Sequence, residues 1–198
     1  GRAEAGNTAA LVAGNDVNLD SKAVEFGHNR KNDTVSLIGQ AGSFVSGKEV
    51  GIQAGRDITL SGSHVAAETN AQLVAGRDLT LLSTQGESHM YSKHTSSGGM
   101  GRKRTDILQR DETKALGSSV AAGGNLNLRA GADAAQGPAN LTGTAVTLTA
   151  GNDLSLTATG DIALGAAEES SYRYYFTSKS SIISAQPHMK ETESLTHK

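Results

Sequence analysis

One short sequence returns along the chain at intervals that an ordinary globular fold does not require. Ala13-Gly14-Asn15-Asp16-Val17-Asn18-Leu19 recurs as Ala54-Gly55-Arg56-Asp57-Ile58-Thr59-Leu60, then as Ala75-Gly76-Arg77-Asp78-Leu79-Thr80-Leu81 and as Ala150-Gly151-Asn152-Asp153-Leu154-Ser155-Leu156. A looser copy is Ala122-Gly123-Gly124-Asn125-Leu126-Asn127-Leu128, and a shorter one is Gly160-Asp161-Ile162-Ala163-Leu164. Triplets of the same kind, Val35-Ser36-Leu37, Val50-Gly51-Ile52 and Val146-Thr147-Leu148, stand between them. Self-similarity of this kind means one structural unit repeated, each copy stacked on its neighbours.

The branched–polar–branched triplet is the minimum signature of a short strand, because alternate side chains leave opposite faces. Gly-Asn/Arg-Asp before it is turn chemistry: Gly is expected to supply a positive φ, and Asp or Asn bonds to neighbouring backbone. From Val50 the inward positions are Val50, Ile58, Val65, Leu73 and Leu79, in steps of 8, 7, 8 and 6. Val146, Leu154 and Ile162 follow in steps of 8, and Ala54 to Ala75 is 21 residues. A bend about every seven residues, and the same pattern after three of them, predicts a three-sided parallel β-helix, right-handed as parallel crossovers are. One coil cannot bury its own aliphatics; the stack buries them.

Two segments leave the pattern. Residues 82–117 are polar, centred on the turn signal Ser97-Ser-Gly-Gly-Met-Gly101 and followed by Arg102-Lys103-Arg104. Residues 167–198 open with Glu168-Glu169-Ser-Ser-Tyr172, which resembles Glu87-Ser88-His-Met-Tyr91, and place Tyr172, Tyr174 and Phe176 against Arg173, Tyr175 and Thr177. Both are expected to be hairpin-like excursions from a single repeat fragment spanning 1–198, the second of them cut short. Without them about six coils remain. The stretch Phe26 to Asp33 and the loop Asp133 to Pro138 depart from the repeat. The chain opens on Gly1 with no apolar leader, so it is expected to be a piece of a longer protein.

These repeats, with the return Gly117-Ser-Ser-Val-Ala-Ala-Gly-Gly-Asn-Leu-Asn-Leu128 and the Glu-Ser excursions, resemble filamentous hemagglutinin repeats of bacterial two-partner-secreted exoproteins. The resemblance covers almost the whole chain. It implies a secreted, extracellular protein at the bacterial cell surface, exported through an outer-membrane two-partner transporter. It further implies a β-helical shaft carrying adhesive or toxic modules, with neighbouring repeats of the same chain as partners. A host or target-cell receptor, or a target outer membrane crossed in contact-dependent growth inhibition, is implied as a further partner.

Composition agrees with this and removes other classes. Zero cysteine excludes disulfides, zinc–thiolate sites and a cysteine nucleophile. Eighteen Lys and Arg against 20 Asp and Glu exclude a broadly basic nucleic-acid binder. No apolar run reaches the ~18 residues of a membrane-spanning helix.

Candidate chemistry is thin. The recurring Asp16, Asp57, Asp78, Asp153 and Asp161 suggest a calcium ladder, but the Gly-Gly-x-Gly-x-Asp spacing of calcium-binding rolls is missing, so turn formation is expected. Repulsion along such a ladder is expected to be eased by Asn125. A carbohydrate-active β-helix needs paired carboxylates, and Glu49, Glu68 and Asp133 are isolated; no enzyme and no cofactor are expected. His28 and His64 are lone, and His89 and His94, five apart in a strand, face opposite sides, which disfavours a shared metal. Two candidate contact elements remain. Arg102, Lys103 and Arg104 suit phosphate, heparin-like sugars or anionic lipid, against a solvated turn. Tyr172, Tyr174, Tyr175 and Phe176 suit a contact patch, against a strand that covers a neighbouring surface, and the covering role is favoured.

Overall fold

The computed structural model describes residues 1–181 and 188–198; residues 182–187, inside the excursion expected over 167–198, lie outside the described residues. The residues divide into two units, one of 1–22, 40–84 and 115–167, the other of 23–39, 85–114 and 168–198.

The first unit is a three-sided parallel β-helix of five rungs. Rung one is β1 (Arg2–Glu4), β2 (Thr8–Ala13) and β3 (Val17–Leu19), after which the chain departs through β4 (Lys22–Arg30) and β5 (Asp33–Ala41). Rung two is β6 (Phe44–Gly47), β7 (Glu49–Ala54) and β8 (Ile58–Ser61); rung three is β9 (His64–Ala67), β10 (Ala71–Ala75) and β11 (Leu79–Leu82). A second departure, β12 (Thr84–Ser97) and β13 (Lys103–Leu116), leads to rung four: β14 (Ser119–Ala122), β15 (Leu126–Arg129) and β16 (Leu141–Thr144). Rung five is β17 (Thr147–Ala150), β18 (Leu154–Thr157) and β19 (Ile162–Gly165), and the last departure is β20 (Ser170–Ser180) and β21 (His188–His197). The sheets run β1-β6-β9-β14-β17, β2-β7-β10-β15-β18 and β3-β8-β11-β16-β19. All three departures occur after a strand of the third sheet.

Register stacks like on like. Val17, Ile58, Leu79, Leu141 and Ile162 lie one over another. Ile58, Leu79 and Leu141 are 0% exposed, whereas Ile162 on the last rung is 47% exposed. Leu154, over the buried Leu126, is exposed for the same reason. Burying one such side chain contributes roughly 1.5–3 kcal/mol, and here two neighbouring rungs are required to do it.

The corners are held by side chains. At the corner before the third sheet, each Asx accepts the backbone N–H of its counterpart one rung on. Asp57 N–H reaches Asp16 Oδ1 at 3.3 Å, Asp78 reaches Asp57 at 3.1 Å, Asn140 reaches Asp78 at 2.8 Å and Asp161 reaches Asn140 at 2.9 Å. A second ladder at the preceding corner joins Asn125 to Asn70 at 3.0 Å and Asp153 to Asn125 at 3.3 Å. Asp153 and Asn125 therefore belong to a different edge from Asp16, Asp57 and Asp78: the copies at 122–128 and 150–156 turn one side earlier. Repulsion in the acidic ladder is relieved by Asn140 within it and by arginine. Arg77 Nε donates to Asp57 at 2.8 Å and Arg56 lies 3.3 Å from Asp16. The Arg77 guanidinium holds the Asp57 carboxyl below the usual range.

The third corner carries buried serines. Ser43, Ser63 and Ser118 Oγ donate to Asp20, Leu19 and Leu82 carbonyls at 2.8, 2.7 and 2.7 Å. Ser43 N–H donates to Ser63 Oγ at 3.2 Å and Ser63 N–H to Ser118 Oγ at 3.3 Å. Each hydroxyl thus satisfies backbone groups that the corner leaves unpaired.

Three expectations change. The repeat glycines are required by close approach, not by positive φ: Gly14, Gly55 and Gly76 are absent from the positive-φ set, but a Cβ on Gly55 would stand 2.0 Å from the Gly14 carbonyl oxygen. The Val35-Ser36-Leu37 triplet is not part of the column; it lies in β5, antiparallel to β12, with Val35 opposite Met90 and Leu37 opposite Ser88. The triplet specifies a strand but not which sheet takes it, and no Gly-x-Asp turn precedes this one. That third departure, which contains the irregular stretch Phe26 to Asp33, is why the rungs number five and not six. The Asp133–Pro138 loop closes the corner of rung four with a 3-10 turn, Ala134–Gln136, and Gln136 Nε2 reaches back to the Gly55 carbonyl at 2.6 Å.

Candidate contact surface

The second unit is a six-stranded antiparallel sheet in the order β21-β20-β13-β12-β5-β4. Long polar strands alternate short aliphatics and charges here, so neither face is rich enough to be buried entirely. Opposed residues on neighbouring strands share a face. Tyr172, Tyr174 and Phe176 therefore share one with Asp111, Gln109 and Ile107 of β13. Tyr175 projects from the other face, opposite Leu108. All four aromatics are half-buried.

The first face carries acid beside phenol. Partial burial, together with Glu193 near Tyr172 and Glu191 near Tyr174, pushes both hydroxyls above the ordinary tyrosine range. His89 Nδ1 meets the Asp111 carboxylate, which also accepts from Gln109 Nε2 at 2.8 Å. Among the described residues no three His, Asp or Glu side chains converge as a metal site.

The second face is organised by Asp106. Its carboxylate accepts from the Thr177 hydroxyl, from Tyr175 OH at 3.5 Å and from Arg104 Nε at 3.1 Å. The Thr177 bond first, then Arg104, holds that carboxyl below its usual value. Tyr175 is thus tied to the basic cluster through Asp106, whereas Tyr172, Tyr174 and Phe176 are on the opposite side of the sheet. The seven candidate residues do not form one patch.

Arg102, Lys103 and Arg104 follow the 98–102 turn, closed by Gly98 N–H on the Arg102 carbonyl at 2.8 Å. They line a cleft of about 470 Å³ together with Lys179 and His188, two cations the sequence reading missed. No local motif marks them; only the pairing of β13 with β20 and of β20 with β21 brings them there.

The hemagglutinin repeat family model matches residues 22–99 and 97–190. The two matches meet at the 98–102 turn, so each spans two rungs and the sheet strands before and after them. The tRNA nuclease CdiA of Escherichia coli is 35% identical over 180 residues, which is 89% of this chain and 5% of that protein. No solved structure matches the chain. With rungs and departures alike lying inside the matched segments, the chain belongs to the hemagglutinin repeat family.

Proposed function

We propose that this chain is a structural and interaction segment in the shaft of a secreted bacterial cell-surface exoprotein, exported through an outer-membrane two-partner transporter. Its rungs hold distal adhesive or toxin modules away from the producing cell, and its polar departures at 82–117 and 167–198 make the contacts. The observation that carries this reading is the column itself: five stacked rungs with a continuous aliphatic interior and no side-chain constellation for catalysis among the described residues. A shaft is tolerant of length. Removing one full turn, residues 55–75, joins Ala54 to Gly76, copy for copy. The shortened chain should keep a strand-type circular dichroism spectrum and a cooperative melt; loss of both would overturn the reading.

A second reading, engagement of a target outer membrane during delivery of a growth-inhibition toxin, is supported by the likeness to CdiA and by exposed apolar residues on the sheet, Met90, Met189 and Leu195. Flotation with liposomes followed by protease digestion separates the two. A segment that floats and is protected favours the second; one that stays in the soluble fraction with the sheet digested favours the first.

A further inference from the structure

We propose that the cleft at the 98–102 end of the antiparallel sheet is a binding site for a phosphate- or sulfate-ester oxyanion. The site belongs to the sheet alone and does not rest on the shaft reading. The strand register places Arg104, Lys179 and His188 directly opposite one another on three adjacent strands, β13, β20 and β21. Like charges in directly opposed positions destabilise a sheet, so such a row is normally interleaved with acids. One residue further along the same face the row is interleaved: Asp106 lies opposite Thr177, with Lys190 beyond. At the cleft it is not.

Arg102 and Lys103 add to the row from the turn, and no Asp or Glu lines the cavity. Among the described residues Arg104 alone of these cations has a carboxylate partner, Asp106 at 2.9 Å. Arg102, Lys103 and Lys179 have none. The turn that presents them is constrained, with Met100 and Gly101 at φ 61° and 63°. The guanidinium of Arg102 supplies a planar fork suited to two oxygens of one group, and the lysines supply point charges. Ser96, Ser97 and Ser180 line the rest with hydroxyls and offer no apolar wall, which suits a hydrophilic carrier such as a sugar ester. A volume of about 470 Å³ admits the oxyanion and one attached ring.

The test is calorimetric titration of the 198-residue chain at low salt with glucose 6-phosphate, inorganic phosphate, sulfate and uncharged glucose. One glucose 6-phosphate should bind per chain, and glucose should give no heat. Lys103→Ala with Lys179→Ala should weaken binding at least about tenfold, whereas Lys31→Ala, in the distant β4–β5 turn, should not change it. If inorganic phosphate or sulfate binds as tightly as the ester, the oxyanion alone is the ligand and the proposal stands. Several weak sites per chain, equal loss in the Lys31 variant, or no heat up to about 10 mM of any anion would overturn it. As a readout that needs no variant, amide shifts on titrating glucose 6-phosphate should concentrate at Arg102–Arg104 and Lys179–Ser180; shifts scattered over both units overturn the proposal.

Discussion

The column and the antiparallel sheet use the same alternation of side chains and arrive at opposite environments. In β8 and β11 every inward residue is buried, because rungs above and below contribute the same shape at the same place. In β12, β13 and β20 the alternation yields half-exposed residues on both faces, and among the described residues of the sheet only Thr177 is buried. The column is therefore held by apolar burial and satisfied corner groups. The sheet is held by backbone pairing and by ion pairs such as Arg110–Glu112 and Lys114–Glu112, exposed contacts of the kind usually worth less than about 1 kcal/mol each. Repetition gives rigidity here, and long unrepeated strands give a surface that is free to carry charge.

The sharpest way to break that contrast is to truncate equivalent aliphatics in each unit. Leu79→Ala should cost about 2–5 kcal/mol in urea denaturation, whereas Leu37→Ala in the sheet should stay within about 0.5 kcal/mol. Equal losses would mean that the sheet has a core of its own.

Next in size is the close approach of rungs. Gly55→Ala places a methyl 2.0 Å from the Gly14 carbonyl oxygen and should cost about 1–3 kcal/mol. Gly51→Ala, with nothing within 4 Å, should be neutral or stabilise by up to about 1 kcal/mol. Thermal melts of the pair separate a steric requirement from a general dislike of substitution.

Ser63→Ala should cost about 1–2 kcal/mol, because Ser43 N–H and the Leu19 carbonyl lose their partner in a buried corner. A melt unchanged by this substitution would remove the serine corner from the stabilising features of the column.

The smallest effect concerns acid. Asp57 titrates below its ordinary value beside Arg77, so its contribution to stability is full above the unfolded carboxylate value near ~3.9 and is lost as pH falls through the depressed folded value. Arg77→Gln removes that contribution and leaves Asp16, Asp57 and Asp78 uncompensated. The midpoint of acid unfolding should therefore move to higher pH, with little change in urea stability under 1 M salt.

The column was legible in the sequence because its constraint is local. A Val-x-Leu triplet states which residues point inward, and Val50, Ile58, Val65, Leu73 and Leu79 do so. Which corner a repeat turns was not legible, since Ala13–Leu19 and Ala150–Leu156 read alike while turning at different edges. The Gly-Ser pairs at 42–43, 62–63 and 117–118 precede three strands of one sheet, a signal that was present and unused. The sheet was harder because its pairings join residues far apart in sequence, such as Arg104 with Lys179. No motif encodes that register. For the same reason the basic turn at 102–104 was visible, but its company in the cleft was not.

In both Asx ladders the acceptor belongs to the earlier rung and the donor to the later one. Assembly along the chain is consequently vectorial: each finished turn already displays the oxygen that its successor will use. A polypeptide arriving N-terminus first could ratchet into place turn by turn, with every increment templated by the one beneath it.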